Sequence, residues 1–153
     1  MEEFRVLVVD DEDDFRETFV NRLQRRNLDV DGVESGEKAL EWLDKHLYDV
    51  CILDVKMPGM DGVETLREMK TKRPLMEVIM LTGHASVESG IEGMKLGAFD
   101  YIMKPADIDE LMEKMRQAHE KKTLHEEKIR QAKIKELEGH PARVFEQIRE
   151  EGT

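Results

Sequence analysis

Polar side chains appear where four short apolar runs stop. Val6 to Val9 gives way to Asp10-Asp11, Val50-Cys51-Ile52-Leu53 to Asp54, Val78 to Leu81 to Thr82-Gly83-His84, and Phe99 to Met103 to Lys104-Pro105. Pro58 and Gly59 forbid regular structure just after Asp54, so this carboxylate is expected at the mouth of a tight loop, open to ligands and held by a rigid strand. Close carboxylates repel: a pair ~4 Å apart at an effective dielectric near 20 costs about 4 kcal/mol. A hard divalent cation offsets that repulsion with oxygen ligands, and Mg2+ accepts one or two carboxylates with waters and a phosphate oxygen. Lys104 adds a fixed positive charge and Thr82 a hydroxyl. Nucleophile, metal, cation and hydroxyl are the parts that move a phosphoryl group onto a carboxylate. Each residue also has an ordinary reading when taken alone. Asp54 could close its own turn, Thr82 could end a strand, Lys104 could be a surface cation, and the acids after Val9 could serve only the dipole of a helix start.

The elements that must position these residues follow from periodicity. Phe15, Phe19 and Leu23 recur at four-residue spacing and predict a helix with an acidic first turn. Leu28, Val30 and Val33, interrupted by Asp29, Asp31 and Gly32, suit an edge strand. Ser35 is placed to cap a second helix carrying Ala39, Leu40 and Leu43, with Trp42 as packing. Asp61 and Glu64 have capping-box spacing before a third helix through Leu66 and Met69. Ser86 or a neighbour precedes a fourth helix with Val87, Ile91 and Met94, stopped at Gly97. Asp107 and Glu110 open a fifth, with Ile108, Leu111, Met112 and Met115 at helical intervals. The methionines, including Met80, Met94, Met112 and Met115, read as adaptable core. Five strands alternating with five helices predict an α/β fold: a flavodoxin-like, doubly wound, five-stranded parallel sheet of order 2-1-3-4-5. In that order strands one and three are neighbours at the switch point, which brings Asp10, Asp11 and Asp54 to one edge.

Composition sets outer limits. At 153 residues the chain suits one domain plus an appendage. A formal charge of -11 argues against direct binding to nucleic acid or to an anionic membrane. Cys51 is the single cysteine and lies in an apolar run, so it reads as a small buried hydrophobe. Met1-Glu2-Glu3-Phe4 lacks the basic and apolar regions of a secretion signal, and no segment is long enough to span a bilayer. The expected location is cytoplasmic.

Asp10-Asp11, Asp54 with Met57-Pro58-Gly59, Thr82-Gly83 and Lys104-Pro105 together resemble the receiver domain of bacterial two-component response regulators, over roughly residues 4 to 119. That resemblance implies a phosphoacceptor module, not a classical enzyme. Asp54 would take a phosphoryl group from a sensor histidine kinase or phosphotransfer protein. Asp11 would ligate Mg2+ directly, Asp10 largely through water, and Asp54 and the backbone carbonyl of Lys56 would complete the set. Lys104 would pair with the phosphoryl oxygens, Thr82 would move to hydrogen-bond them, and Tyr101 would swing inward behind it. Partner binding or homodimerisation would then change on the face made by the fourth helix, fifth strand and fifth helix. Lys56 and His84 occupy positions that tune phosphoryl lifetime in the family, and both also read as solvated loop side chains. A flavodoxin-type cofactor module shares the architecture, but its first loop should cradle phosphate, and this one is acidic. A haloacid dehalogenase-type phosphatase needs a second Asp two residues after the nucleophile, where Lys56 stands.

The division expected is a receiver domain over residues 1–119 and a helical extension over 120–153. Past His119 the apolar stripe dissolves: Leu124, Ile129 and Ile134 are spaced by five, so no single apolar face forms. Composition still favours continuing the last helix to Gly139-His140-Pro141. Val144, Phe145 and Ile148 suggest a short second helix that could dock on another chain.

Overall fold

The computed structural model describes residues 4–83 and 87–139. Within them, β1 (Arg5–Val9), β2 (Asp29–Val33), β3 (Val50–Leu53), β4 (Glu77–Thr82) and β5 (Asp100–Met103) alternate with α1 (Asp13–Gln24), α2 (Gly36–Lys45), α3 (Gly62–Lys72), α4 (Val87–Lys95) and α5 (Ile108–Gly139). The strands form one sheet of order β2-β1-β3-β4-β5, and every pairing is parallel. The expected fold and strand order are therefore present, with the polar β2 at an edge.

Period-two alternation divides the core between the two faces of the sheet. Val6, Val8, Val50, Ile52, Ile79 and Leu81 pack with Phe19 and Leu23 of α1 and with Leu111, Met112 and Met115 of α5. Leu7, Val9, Cys51, Leu53, Val78 and Met80 pack with Ala39 and Leu43 of α2 and with Leu66 and Met69 of α3. Helices on both faces explain why β3 and residues 78–81 of β4 are apolar without interruption, and why both strands are buried along their whole length. Each fully buried side chain of this size contributes roughly 1.5–3 kcal/mol.

The caps follow the chemistry of the sequence. The Ser35 hydroxyl accepts from the Lys38 N–H at 3.1 Å, and the Asp61 carboxylate accepts from the Glu64 N–H at 2.9 Å. Asp107 accepts from the N–H groups of Asp109 and Glu110. Each satisfies an otherwise orphaned donor of a first helical turn. Gly97, just past α4, has a φ of 99°, which a side chain would oppose. Trp42 is more than packing, since its indole N–H donates to the Tyr48 hydroxyl, which in turn donates to Asp31.

In α4, Met94 departs from the reading of the methionines as core. Gly93 is the helix's one buried residue among those described, while Val87, Ile91 and Met94 are 79%, 51% and 49% exposed. The physical reason lies in the glycines: a Cβ on Gly93 would lie 2.5 Å from the Met80 sulfur, and one on Gly90 would reach the Tyr101 ring at 3.5 Å. Gly93 meets the sheet and Gly90 the Tyr101 ring, so α4 presents no large side chain there, and Val87, Ile91 and Met94 line the adjoining solvent-facing groove. Met94 is not core, whereas Met80, Met112 and Met115 are.

The chain divides into two units, residues 1–122 and 123–153. The described part of the second is helical to Gly139. Leu124, Ile129 and Ile134 are 59%, 46% and 47% exposed, as a stripe that closes on no single face should be. The expected helix around Val144, Phe145 and Ile148 lies outside the described residues, as do His84 and Ser86.

Candidate functional site

The site forms at the carboxyl ends of β1, β3, β4 and β5: Asp10, Asp54 and Lys104 each follow a strand by one residue, and Thr82 is the last residue of β4. The Asp10 N–H donates to the Val33 carbonyl at 3.1 Å, the Asp54 N–H to the Val9 carbonyl at 2.9 Å, and the Lys104 N–H to the Thr82 carbonyl at 2.9 Å. Sheet hydrogen bonding therefore carries past each strand and fixes the backbone from which each polar side chain springs.

Asp54 is 3% exposed and Asp10 2% exposed, so the expected open carboxylate is instead enclosed. The loop after β3 explains this. Its Val55 and Met57 turn into the core, and α3 begins against the strand end, where the Gly62 N–H donates to the Val55 carbonyl at 2.7 Å. A Cβ on Gly62 would lie 2.3 Å from the Asp54 carbonyl oxygen and 2.5 Å from Val55 Cα. Only glycine allows this approach. The same loop is tied from α2, where Glu37 Oε1 accepts from the Met60 N–H at 2.8 Å. That bond holds the Glu37 carboxyl below its ordinary range.

Four groups converge on the enclosed carboxylate. Lys104 Nζ lies 2.7 Å from Asp10 Oδ2 and 4.0 Å from Asp54 Oδ2. The Thr82 side chain and the Lys56 backbone N–H both hydrogen-bond to Asp54. Burial, aided by the Asp10 carboxylate, raises the Asp54 carboxyl above the usual range; Thr82, Lys104 and the Lys56 N–H pull the other way. Asp54 Oδ1 is buried without a hydrogen-bond partner. An acceptor left in this way costs about 1–3 kcal/mol or more when charged, so its lone pairs are available to a cation.

The donor set suits a hard cation. Ligand atoms of Asp10, Glu12 and Asp54 lie within 4.8 Å of one another, all are carboxylate oxygens, and one of the three residues carries the unpartnered Oδ1. Such a set fits Mg2+. Asp11, expected from sequence to ligate directly, is not in this group, and Glu12 stands in it instead. Sequence reasoning missed Glu12 because an acid at a helix start already has a use, and Glu12 is indeed the residue before α1. Its N–H donates to Asp10 Oδ1 at 2.9 Å, which ties it to the site. Lys56 meets Asp54 through its N–H, and its side chain is exposed.

Tyr101 stands apart from this cluster. Its ring packs at Gly90 and borders an open groove of ≈ 880 Å³ between α4 and β5, lined also by Val87, Ile91, Met94 and Met103. The structure thus holds Asp10, Asp54, Thr82 and Lys104 together and leaves Tyr101 on the adjoining apolar face.

Residues 6–116 match the family model for the response regulator receiver domain. Regulatory protein AtoC of Escherichia coli (strain K12) is 37% identical over 107 residues, 70% of this chain and 23% of that protein. The DNA-binding transcriptional regulator NtrC of the same organism is 38% identical over 105 residues, 69% of this chain and 22% of that protein. The chain therefore spans less than a quarter of the length of these two curated relatives. Among solved structures, a CheY-like response regulator receiver domain protein from Methanospirillum hungatei JF-1 superposes with a TM-score of 0.77 at 28% identity, covering 81% of this chain and 99% of that one.

Proposed function

The chain belongs to the response regulator receiver family, and from that membership we propose that Asp54 is the residue that accepts the phosphoryl group, with Mg2+ held by Asp10, Asp54 and one or both of Asp11 and Glu12. A receiver is a phosphoacceptor signalling module, so the chemistry to explain is a single transfer onto its own carboxylate. The observation that carries the assignment is the unpartnered, buried Asp54 Oδ1 beside Lys104 and Thr82.

In the proposed transfer an Asp54 carboxylate oxygen attacks phosphorus while the bond from phosphorus to a kinase histidine nitrogen breaks. The imidazole nitrogen leaves with the electron pair and an acyl phosphate remains. Mg2+, when bound, neutralises charge on the non-bridging oxygens. Lys104 lies 4.0 Å from the carboxylate and has a short way to travel to a new phosphoryl oxygen. Thr82 is already hydrogen-bonded to Asp54 and supplies a hydroxyl to the same product. The Lys56 carbonyl remains a candidate ligand by resemblance.

The partner is a sensor histidine kinase or a phosphotransfer protein, and the location is the cytoplasm. No helix among the described residues is long and apolar enough to cross a membrane, which suits that location. The readout runs from Thr82 through Tyr101 to the groove between α4 and β5, where a second copy or an output protein docks. Support comes from the exposed Val87, Ile91 and Met94 on that face. A flavodoxin-type cofactor module finds no support at an edge that carries three carboxylates.

Acetyl phosphate and Mg2+ test the assignment. Wild type should gain one labile phosphoryl group by intact mass, a chelator should suppress the gain, and Asp54→Ala should gain none. A variant that labels as fast as wild type would overturn the choice of Asp54.

A further inference from the structure

The lysine of the site has a third neighbour besides Asp10 and Asp54. Its Nζ lies 3.8 Å from the centroid of the Phe15 ring, well inside the range over which an aromatic face attracts an ammonium. Phe15 belongs to the first turn of α1 and stacks on Phe19, ring centroids 5.5 Å apart and planes at 21°. Phe19 is 6% exposed and anchored in the core. The Lys104 side chain itself is 14% exposed. The ammonium is therefore enclosed by two carboxylates and one aromatic face.

We propose that Phe15 is a positioning residue for the phosphoryl transfer, its ring face holding the Lys104 ammonium in the gap between Asp10 and Asp54. This rests on Asp54 being the acceptor. Without the ring the ammonium keeps its 2.7 Å hydrogen bond to Asp10, but bulk water competes for the rest of its surface. That draws it away from the oxygen that becomes phosphorylated. A ring face attracts the ammonium without forming a hydrogen bond that must later be broken, so it holds the charge near without taking up the N–H donors that Asp10 leaves over. Preorganisation of this kind speeds transfer because the cation need not be recruited when charge develops on the phosphoryl oxygens. The signal in sequence is faint, since Phe15, Phe19 and Leu23 form a periodic stripe in which Phe15 reads as ordinary packing.

Four variants of the full chain test the inference: Phe15→Leu, which keeps apolar bulk and removes the ring, Phe15→Tyr, which restores the ring, Lys104→Met, and Phe15→Leu combined with Lys104→Met. The first readout is the proton NMR shift of the Lys104 ε-methylene, which an overlying ring moves upfield. It should be upfield in wild type and Phe15→Tyr and ordinary in Phe15→Leu. The second is the rate of labelling by acetyl phosphate with Mg2+. Phe15→Leu should label about fivefold more slowly, the size of one ordinary cation–π contact, and Phe15→Tyr should recover most of the rate. In the Lys104→Met background the Phe15→Leu change should have no further effect. An unshifted methylene in wild type, a Phe15→Tyr rate as low as that of Phe15→Leu, or a full Phe15→Leu effect without Lys104 would each overturn the positioning role. Failure of wild type to label at all would instead remove the assignment of Asp54, and the methylene shift would still report whether the ring holds the lysine.

Discussion

β3 and the α4–β5 face carry similar apolar residues in opposite circumstances. All four residues of β3 are buried, and the acid that follows is bound by β1 from behind, by Gly62 from beside and by Thr82, Lys56 and Lys104 in front. In β5 none of the four residues is buried, and α4 turns two glycines inward and three apolar side chains outward. The first region is over-determined, as a reaction centre held to fractions of an ångström must be. The second has few buried contacts to lose, and such regions lie at the low end of local stability. On the proposed readout, a phosphoryl group that biases a two-state element would act on the second region and leave the first in place.

The contrast can be broken most severely at Gly62. Because the clash of an added Cβ is with backbone at 2.3 Å, Gly62→Ala should lose about 4 kcal/mol or more in urea denaturation and should also lose phosphoryl labelling. Wild-type stability would mean that α3 does not press on the Asp54 backbone. A paired comparison comes next in size. Met80→Ala, at a fully buried position, should cost about 3 kcal/mol, whereas Met94→Ala, at a half-exposed one, should stay within about 0.5 kcal/mol. Equal costs would erase the difference between the two regions.

A smaller effect sharpens the account of the centre itself. Burial and the Asp10 carboxylate hold Asp54 above the ordinary carboxylate range, so in metal-free solution the folded chain binds that proton more tightly than the unfolded one. The stability linked to the proton is complete below the unfolded value and is lost as pH rises through the folded one. Asp54→Asn has no proton to lose. With chelator present it should melt above wild type at neutral pH, and the gap should shrink as pH falls through the raised folded value and be closed by about pH 4. A gap that does not vary with pH would contradict the enclosed, charged acid. Smallest in stability is Ile91→Ser, expected within about 0.5 kcal/mol of wild type, while binding of a phosphorylation-dependent partner at the groove should weaken. Unchanged binding would remove α4 from the readout.

Much of this was legible from the chain alone where the physics is local. Contiguous apolar runs in β3 and β4 announce strands covered on both faces, and an acid, a hydroxyl and a lysine at successive strand ends announce a shared edge. The caps at Ser35, Asp61 and Asp107 were legible for the same reason. Residues whose role depends on a partner far along the chain were not. Glu12 looks like any first-turn acid until β3 brings Asp54 beside Asp10. Phe15 looks like core until Lys104, 89 positions later, is found over its ring. The exposure of Met94 in α4 escapes the sequence because periodicity gives the separation between apolar residues and not the direction they face. There the inward side was decided by Gly90 and Gly93, whose lack of a side chain leaves no hydrophobic signal.

The most direct measurement is site mapping of the acyl phosphate. After incubation with acetyl phosphate and Mg2+, borohydride reduction converts a phosphorylated aspartate to homoserine, which tandem mass spectrometry can locate. Homoserine at position 54, dependent on both donor and Mg2+, is the predicted result. Homoserine at Asp10 or Asp11, hydroxynorvaline (the reduced form of a phosphorylated glutamate) at Glu12, or no reduced residue in a folded and donor-treated protein, would contradict it.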